Sequence, residues 1–271
     1  MKGLVRAAVV ALGLAVSLSA CAPVVRSNIY FPEPLPAALE WPAAAPREVS
    51  VTTADGLSLK GYYYPPREPG KRLIVFFHGN GGNRYTAARY AAPLTQEGDG
   101  LLIADYRGYG GNPGKPSETG LRADAAAFIA YGRTLQPGAL VYLFGHSLGG
   151  GVVLDAATRE DIAGVITLGT FSSLSDMAPA YARPILPDRF DNRKAVTHLK
   201  ASLLLIHGTA DNVVPFAQGK ALNDAATTAN ADVRFLQLKG ADHHPDFARL
   251  APSVLQQIGQ MPFNDRNIHA Q

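Results

Sequence analysis

Apolar positions along this chain fall into short blocks that alternate between two periods. Glu48–Thr53 and Leu57–Tyr64 are strand-like runs joined by Asp55-Gly56, a strong hairpin signal. Leu73–Phe77 is a continuous apolar run, as a strand buried on both faces requires. An Ala-rich helix over Arg84–Gln96 follows, and the alternation then repeats: strand Leu101–Ala104, helix Leu121–Arg133, strand Leu140–Phe144, helix Leu148–Thr158, strand Gly164–Leu168. After an irregular stretch come strand Leu203–Ile206, helix Phe216–Ala226, strand Val233–Leu238 and helix Asp246–Ile258. That last helix puts Phe247, Leu250, Val254, Leu255 and Ile258 on one face, and Pro252 inside it predicts a kink or a break. Strands alternating with helices after a hairpin predict an α/β domain with a mainly parallel, doubly wound sheet and an antiparallel N-terminal edge. In such sheets chemistry gathers at the carboxyl ends of the strands.

The first 47 residues follow neither period. Lys2 and Arg6 precede an almost unbroken apolar run, Ala7 to Leu18, and the small residues Ser19 and Ala20 close it. Residues 1–20 therefore read as a secretory signal. The run is shorter than the roughly 20 apolar residues of a membrane span, and an uncleaved N-terminal anchor is the alternative. The junction Leu18-Ser19-Ala20-Cys21 resembles the lipobox of bacterial lipoproteins, and Cys21 is the only cysteine in the chain. The resemblance implies a lipid on Cys21 and attachment in the bacterial cell envelope facing the periplasm, with Ala22 favouring the outer membrane. One cysteine excludes an intrachain disulfide. Residues 21–47, rich in Pro and Ala, read as an extended tether from which Ile29-Tyr30-Phe31 and Trp41 reach the body. The domain then runs over 48–262 and a polar tail over 263–271. The formal charge of +3 falls to +1 once Lys2 and Arg6 are set aside, which points to no nucleic-acid or polyanion partner.

Gly145-His146-Ser147-Leu148-Gly149 fits G-x-S-x-G and stands between an apolar strand and a helix, the setting of a nucleophile elbow. A serine hydroxyl is a poor nucleophile until a base takes its proton, so a histidine is required, with a carboxylate to orient it. The best acid is Asp211, just past strand Leu203–Ile206; Asp176, Asp188 and Asp191 lie in the irregular stretch and suit solvated or capping roles. After strand Val233–Leu238 the candidate bases are His243, His244 and the terminal His269. Pro245 at the first helical position would commit His244 to the helix entrance, which favours His243. Oxyanion donors are expected from the backbone N–H of Leu148 and from the glycine-rich loop His78–Asn83, where Asn80 is favoured. His78 itself is expected to hydrogen-bond within that loop.

Phe76–Asn83, Asp105–Glu118, Phe144–Gly151, Phe171–Met177 and Leu204–Pro215 together resemble the α/β-hydrolase fold superfamily, within it the small-cap serine hydrolases that include depalmitoylase-like thioesterases. The resemblance implies Ser147 as nucleophile, His243 as general base and then acid, Asp211 as its orienter, and hydrolysis of an ester, thioester or related acyl bond through an acyl-enzyme. It implies no metal or organic cofactor, a small-molecule or lipid acyl substrate, and a short cap over about 170–198. Gly240-Ala241-Asp242-His243 matches the family's Gly-Ala-Gly before the histidine except at Asp242, whose charge could compete with Asp211. A peptidase of the same fold, or an envelope lipoprotein that binds without catalysis, are the rival readings.

Overall fold

The protein is described by a computed structural model over residues 22–67, 72–229 and 231–261. Residues 1–20, where a secretory signal is expected, Cys21 and the expected tail over 263–271 lie outside the described residues. Among the described residues ten strands and eight α-helices succeed one another: α1 (22–26), β1 (Phe31–Pro32), β2 (Arg47–Thr52), β3 (Ser58–Tyr64), β4 (Arg72–Phe77), β5 (Gly81–Gly82), α2 (Arg84–Ala91), β6 (Gly100–Ala104), α3 (Glu118–Leu135), β7 (Leu140–His146), α4 (Leu148–Ala157), β8 (Gly164–Leu168), α5 (Leu174–Met177), α6 (Asn192–Val196), β9 (Ser202–Gly208), α7 (Phe216–Thr228), β10 (Val233–Leu238) and α8 (Phe247–Gly259).

Eight of these strands form one sheet in the order β10-β9-β8-β7-β4-β6-β3-β2. Pairing is parallel from β10 to β6, and the hairpin β2–β3 adds antiparallel to the β6 edge. β4 sits between β6 and β7, so the chain reverses its direction of winding there, and the loops after β4 and β7 diverge to leave a crevice above the sheet. Period two divides the core. Leu73, Val75 and Phe77 point to the side covered by α3, α4 and α7, whereas Ile74 and Phe76 point to the side covered by α2 and α8.

The sequence reading differs from the structure in three places. α8 runs unbroken through Pro252. Phe247, Leu250, Val254, Leu255 and Ile258 are all buried, each contributing about 1.5–3 kcal/mol by leaving water, which outweighs the roughly 3 kcal/mol that an interior proline costs. The N-cap of α8 is Asp246, which accepts from Ala248 and Arg249 N–H, so Pro245 precedes the cap and does not occupy the first turn. The third difference is in the tether: its expected contacts at Ile29-Tyr30-Phe31 and Trp41 are present, but they include a strand pairing and a buried ion pair in place of an extended spacer. β1 pairs in parallel with β5, and Trp41 sits edge-on to Tyr62 and Tyr85 with ring centroids 5.4 and 5.0 Å away. Tyr30 is buried, and its hydroxyl donates to Asp188 Oδ2 at 3.0 Å. Arg26 forks onto both oxygens of Asp188 at 2.8 and 3.0 Å. Prolines keep this segment out of long ladders, but aromatic burial and one bidentate ion pair hold it without them.

Candidate active site

Ser147 ends β7 and caps α4 with φ 53° and ψ −114°, a left-handed conformation that a side chain other than glycine rarely adopts. The neighbouring glycines explain how the turn closes. A Cβ at Gly145 would overlap the Gly149 carbonyl, and one at Gly149 would overlap the Phe77 carbonyl at the end of β4. The strained residue is held by its own N–H, which donates to Leu168 O at 2.8 Å, and by its carbonyl, which accepts from Gly150 N–H and the Thr170 hydroxyl. Strain fixed in this way presents the hydroxyl at the carboxyl end of the sheet.

Asp211 follows β9 and has no exposed side-chain surface. Its Oδ1 accepts from Val213 and Val214 N–H at 2.9 and 2.8 Å, and its Oδ2 accepts from His243 Nδ1–H at 2.7 Å. That last bond fixes the tautomer and leaves His243 Nε2 with its lone pair free to take a proton. The loops after β9 and β10 are tied together by Thr209 N–H to Leu238 O, Ala210 N–H to Ala241 O, and Gly240 N–H to the Thr209 hydroxyl. Gly169, at φ 61°, lets the imidazole lie against the backbone beyond β8, since a Cβ there would sit 3.0 Å from His243 Nδ1 and 3.3 Å from Asp211 Oδ2. Ser147 and His243 are brought to the same place by Leu168–Gly169 but share no hydrogen bond in this arrangement; such bonds commonly tighten only around a substrate.

His146 packs between the two parts. Its ring centroid is 5.0 Å from that of His243 and 5.0 Å from that of His244, and its Nε2–H donates to the His243 carbonyl at 3.1 Å. Burial, reinforced by the His243 ring, pushes its pKa down to about 3. His244 is also lowered, by burial and then by His243, and His207 by burial. His207 Nε2–H donates to Val214 O at 2.8 Å and thereby props the Asp211 turn. Among the described residues His146, His243 and His244 form the group whose nitrogens approach closely enough, within 4.8 Å, to hold a metal. A metal there would have to take His243 Nε2, because Nδ1 already donates to Asp211.

Asn80 and Leu148 both line the cavity that contains Ser147. The Leu148 N–H is at the first position of α4, where no intrahelical acceptor exists. The Asn80 side chain donates to Ile29 O, while its carbonyl accepts from Phe31 N–H and the Tyr109 hydroxyl; its own N–H is left without an acceptor among the described bonds. Tyr106 likewise donates to His78 O at 2.8 Å, and the His78 ring spans Asp105 Oδ1 and Gly79 O. Asp105 in turn is paired with buried Arg84, so the loop Asp105–Glu118 braces the glycine-rich loop from behind. The cavity measures about 610 Å³, and none of the described residues lining it is charged. A larger depression of about 1050 Å³ lies at the amino ends of β7 to β9, across the sheet from Ser147.

Ser147, Asn80 and Leu148 line one cavity, and the Asp211–His243 pair lies against Gly169, whose neighbour Leu168 accepts from Ser147 N–H; Asp242 stays out of that pair. Asp242 Oδ1 accepts from His244 N–H at 3.0 Å and makes no bond to the His243 ring. His244 keeps part of its surface in water, although its ring lies 5.0 and 4.9 Å from those of His146 and His243, whereas His243 is buried, for reasons other than helix entry: it is enclosed by Asp211, Gly169 and His146. Of the three cap acids, Asp176 and Asp191 accept from nearby side chains or backbone, but Asp188 is buried as the anchor of Arg26 and Tyr30. Sequence reading misses this because the partners stand 162 and 158 positions away.

A strained serine between strand and helix, with a histidine–carboxylate pair past the last two strands of a doubly wound sheet, defines an α/β hydrolase in geometry. Residues 68–187 match the family described as Serine aminopeptidase, S33. An uncharacterized protein of Mycobacterium tuberculosis is 34% identical over 230 residues, covering 81% of this chain and 80% of its own. The uncharacterized protein YfhR of Escherichia coli is 32% identical over 213 residues, covering 73% of this chain and 72% of its own. An esterase from Pyrococcus furiosus shares the fold at 18% identity, with a TM-score of 0.67 and coverage of 86% of this chain and 96% of that one. The chain belongs to the α/β-hydrolase superfamily and is a hydrolase.

Proposed function

We propose that this hydrolase cleaves carboxylic esters or thioesters through a Ser147–His243–Asp211 triad. The observation that carries the reading is a strained serine in an uncharged cavity, joined through Leu168–Gly169 to a histidine whose Nδ1 is bound to a buried carboxylate. Ser147 Oγ attacks the acyl carbon and its proton passes to His243 Nε2. The tetrahedral oxyanion accepts from the N–H groups of Leu148 and Asn80. Collapse breaks the bond to the leaving oxygen or sulfur, which takes the proton from His243 Nε2. Water then attacks the acyl-enzyme, gives its proton to His243, and releases the carboxylic acid and free Ser147.

An aminopeptidase needs a negative group to hold the substrate ammonium, and the described lining has no carboxylate. That favours an acyl substrate over a free-amine one, although the matched family is named for aminopeptidases. A fluorophosphonate probe is expected to label the wild type and leave Ser147→Ala unlabelled. Esters of short to medium acyl chains should be hydrolysed at least ten times faster than aminoacyl amides. Equal labelling of the alanine variant overturns the nucleophile assignment, and faster amide cleavage overturns the substrate class.

A further inference from the structure

Residues 22–29 form a wall of the cavity: Val24, Val25, Asn28 and Ile29 line it opposite the cap residues. The wall is clamped by Asp188, which stands in the cap and holds Arg26 and Tyr30. Three apolar side chains of the cavity lining are left in water and so mark its mouth: Val24 is 67%, Tyr181 84% and Val213 54% exposed. Ile185, 45% exposed, does not line it but lies in the cap turn between Ala182 and Leu186, which do. Single exposed apolar residues are ordinary, whereas several that share one opening mark an interaction surface.

The chain that leads into this wall says what covers it. Val24 is three positions after Cys21, and the apolar run Ala7–Leu18 comes just before. Three residues span at most about 10 Å, so a lipid on Cys21 sets the bilayer surface within that distance of the mouth. An uncleaved anchor ending at Leu18 would set it within about 20 Å. An apolar mouth held that close to a membrane meets lipid before it meets a soluble protein.

We infer that the cavity mouth docks on a lipid bilayer and that the site draws in the acyl chain of a bilayer-borne amphiphile along the wall formed by residues 22–29. This rests on the serine-hydrolase reading. The transfer keeps the chain in apolar surroundings throughout, because it leaves the bilayer directly for an uncharged cavity and is not exposed to water between.

The test uses the full-chain protein in vesicles of phosphatidylethanolamine and phosphatidylglycerol, with a 4-methylumbelliferyl long-chain ester embedded in the same vesicles and the butyrate ester supplied in solution. Ile185→Asp is expected to lower turnover of the embedded ester at least tenfold while the soluble ester changes less than twofold. Ile185→Trp, which suits a membrane interface, should keep embedded-ester turnover at the wild-type level. Unchanged embedded-ester turnover in Ile185→Asp overturns the docking, and so does an equal loss on both esters or wild-type hydrolysis confined to the soluble one. A wild type that hydrolyses neither ester and takes no fluorophosphonate label overturns the serine-hydrolase reading itself.

Discussion

The floor of the crevice and its walls are built on different principles. Ser147, Asp211 and His243 stand at the ends of parallel strands, buried; Ser147 and Asp211 are each held by several bonds to backbone groups, and His243 by Asp211 and by the close approach of Gly169. The walls are residues 22–31 and the cap, with short helices, exposed apolar groups and one buried carboxylate, Asp188, joining them. A floor of this kind keeps one geometry because moving any part breaks the sheet edge. Residues 22–31 are tied to the cap by one carboxylate and to the floor through Asn80, which bonds to Ile29 and Phe31, so the cap contact can be lost while the tie to the floor stays.

The sharpest separation between the regions lies within one dipeptide. His243→Ala is expected to lower ester turnover by about 10⁶-fold, as loss of a triad base does, whereas His244→Ala should lower it less than about tenfold. Turnover measured on purified variants with the butyrate ester decides this, and similar losses would mean that the doublet acts as a unit. Clamp removal should act on the wall alone. Asp188→Ala strips the bidentate partner from Arg26 and the acceptor from the Tyr30 hydroxyl. Because Arg26 is partly exposed, the expected loss is about 2 kcal/mol rather than the 3–5 kcal/mol of a fully buried pair. Urea denaturation would read it, and trypsin should then cut at Arg26 faster than at any site in the sheet.

The smallest effect concerns pH. His146, His207 and His244 all have pKa values below the ordinary histidine range of about 6.5, His146 at about 3. Between those values the unfolded chain binds protons that the folded protein refuses. Stability is therefore full above about pH 6.5 and declines as pH falls. The Tm should drop by several degrees from pH 7.5 to 5.0, and by less in His146→Gln, which keeps a donor for the His243 carbonyl but does not titrate. An equal drop in both proteins would place the titration elsewhere.

Much of the floor was legible in the residues. Gly145, Gly149 and Ser147 announce the elbow because a sharp turn tolerates only small neighbours, and that demand acts over a few positions. Leu73–Phe77 and Leu140–Phe144 announce buried strands by the same local logic. The walls were legible only in part: Ile29-Tyr30-Phe31 and Trp41 stood out as positions that reach the body, but not what they meet. A Pro-rich segment looks like a tether when read alone, and Asp188 looks like a surface acid. Their burial depends on each other, through contacts that no local window contains. The continuity of α8 through Pro252 was likewise decided by burial of its apolar face, which outweighs the local penalty.

By itself the sequence determined the order of strands and helices, the strained serine and the fact that a base was needed after β10, since these follow from spacing and steric limits between near neighbours. Only the tertiary structure decided which histidine met Asp211, which acid held the N-terminal segment, and that this segment walls the cavity. Those choices depend on sheet order and on desolvation, which bring together groups 32 to 162 positions apart.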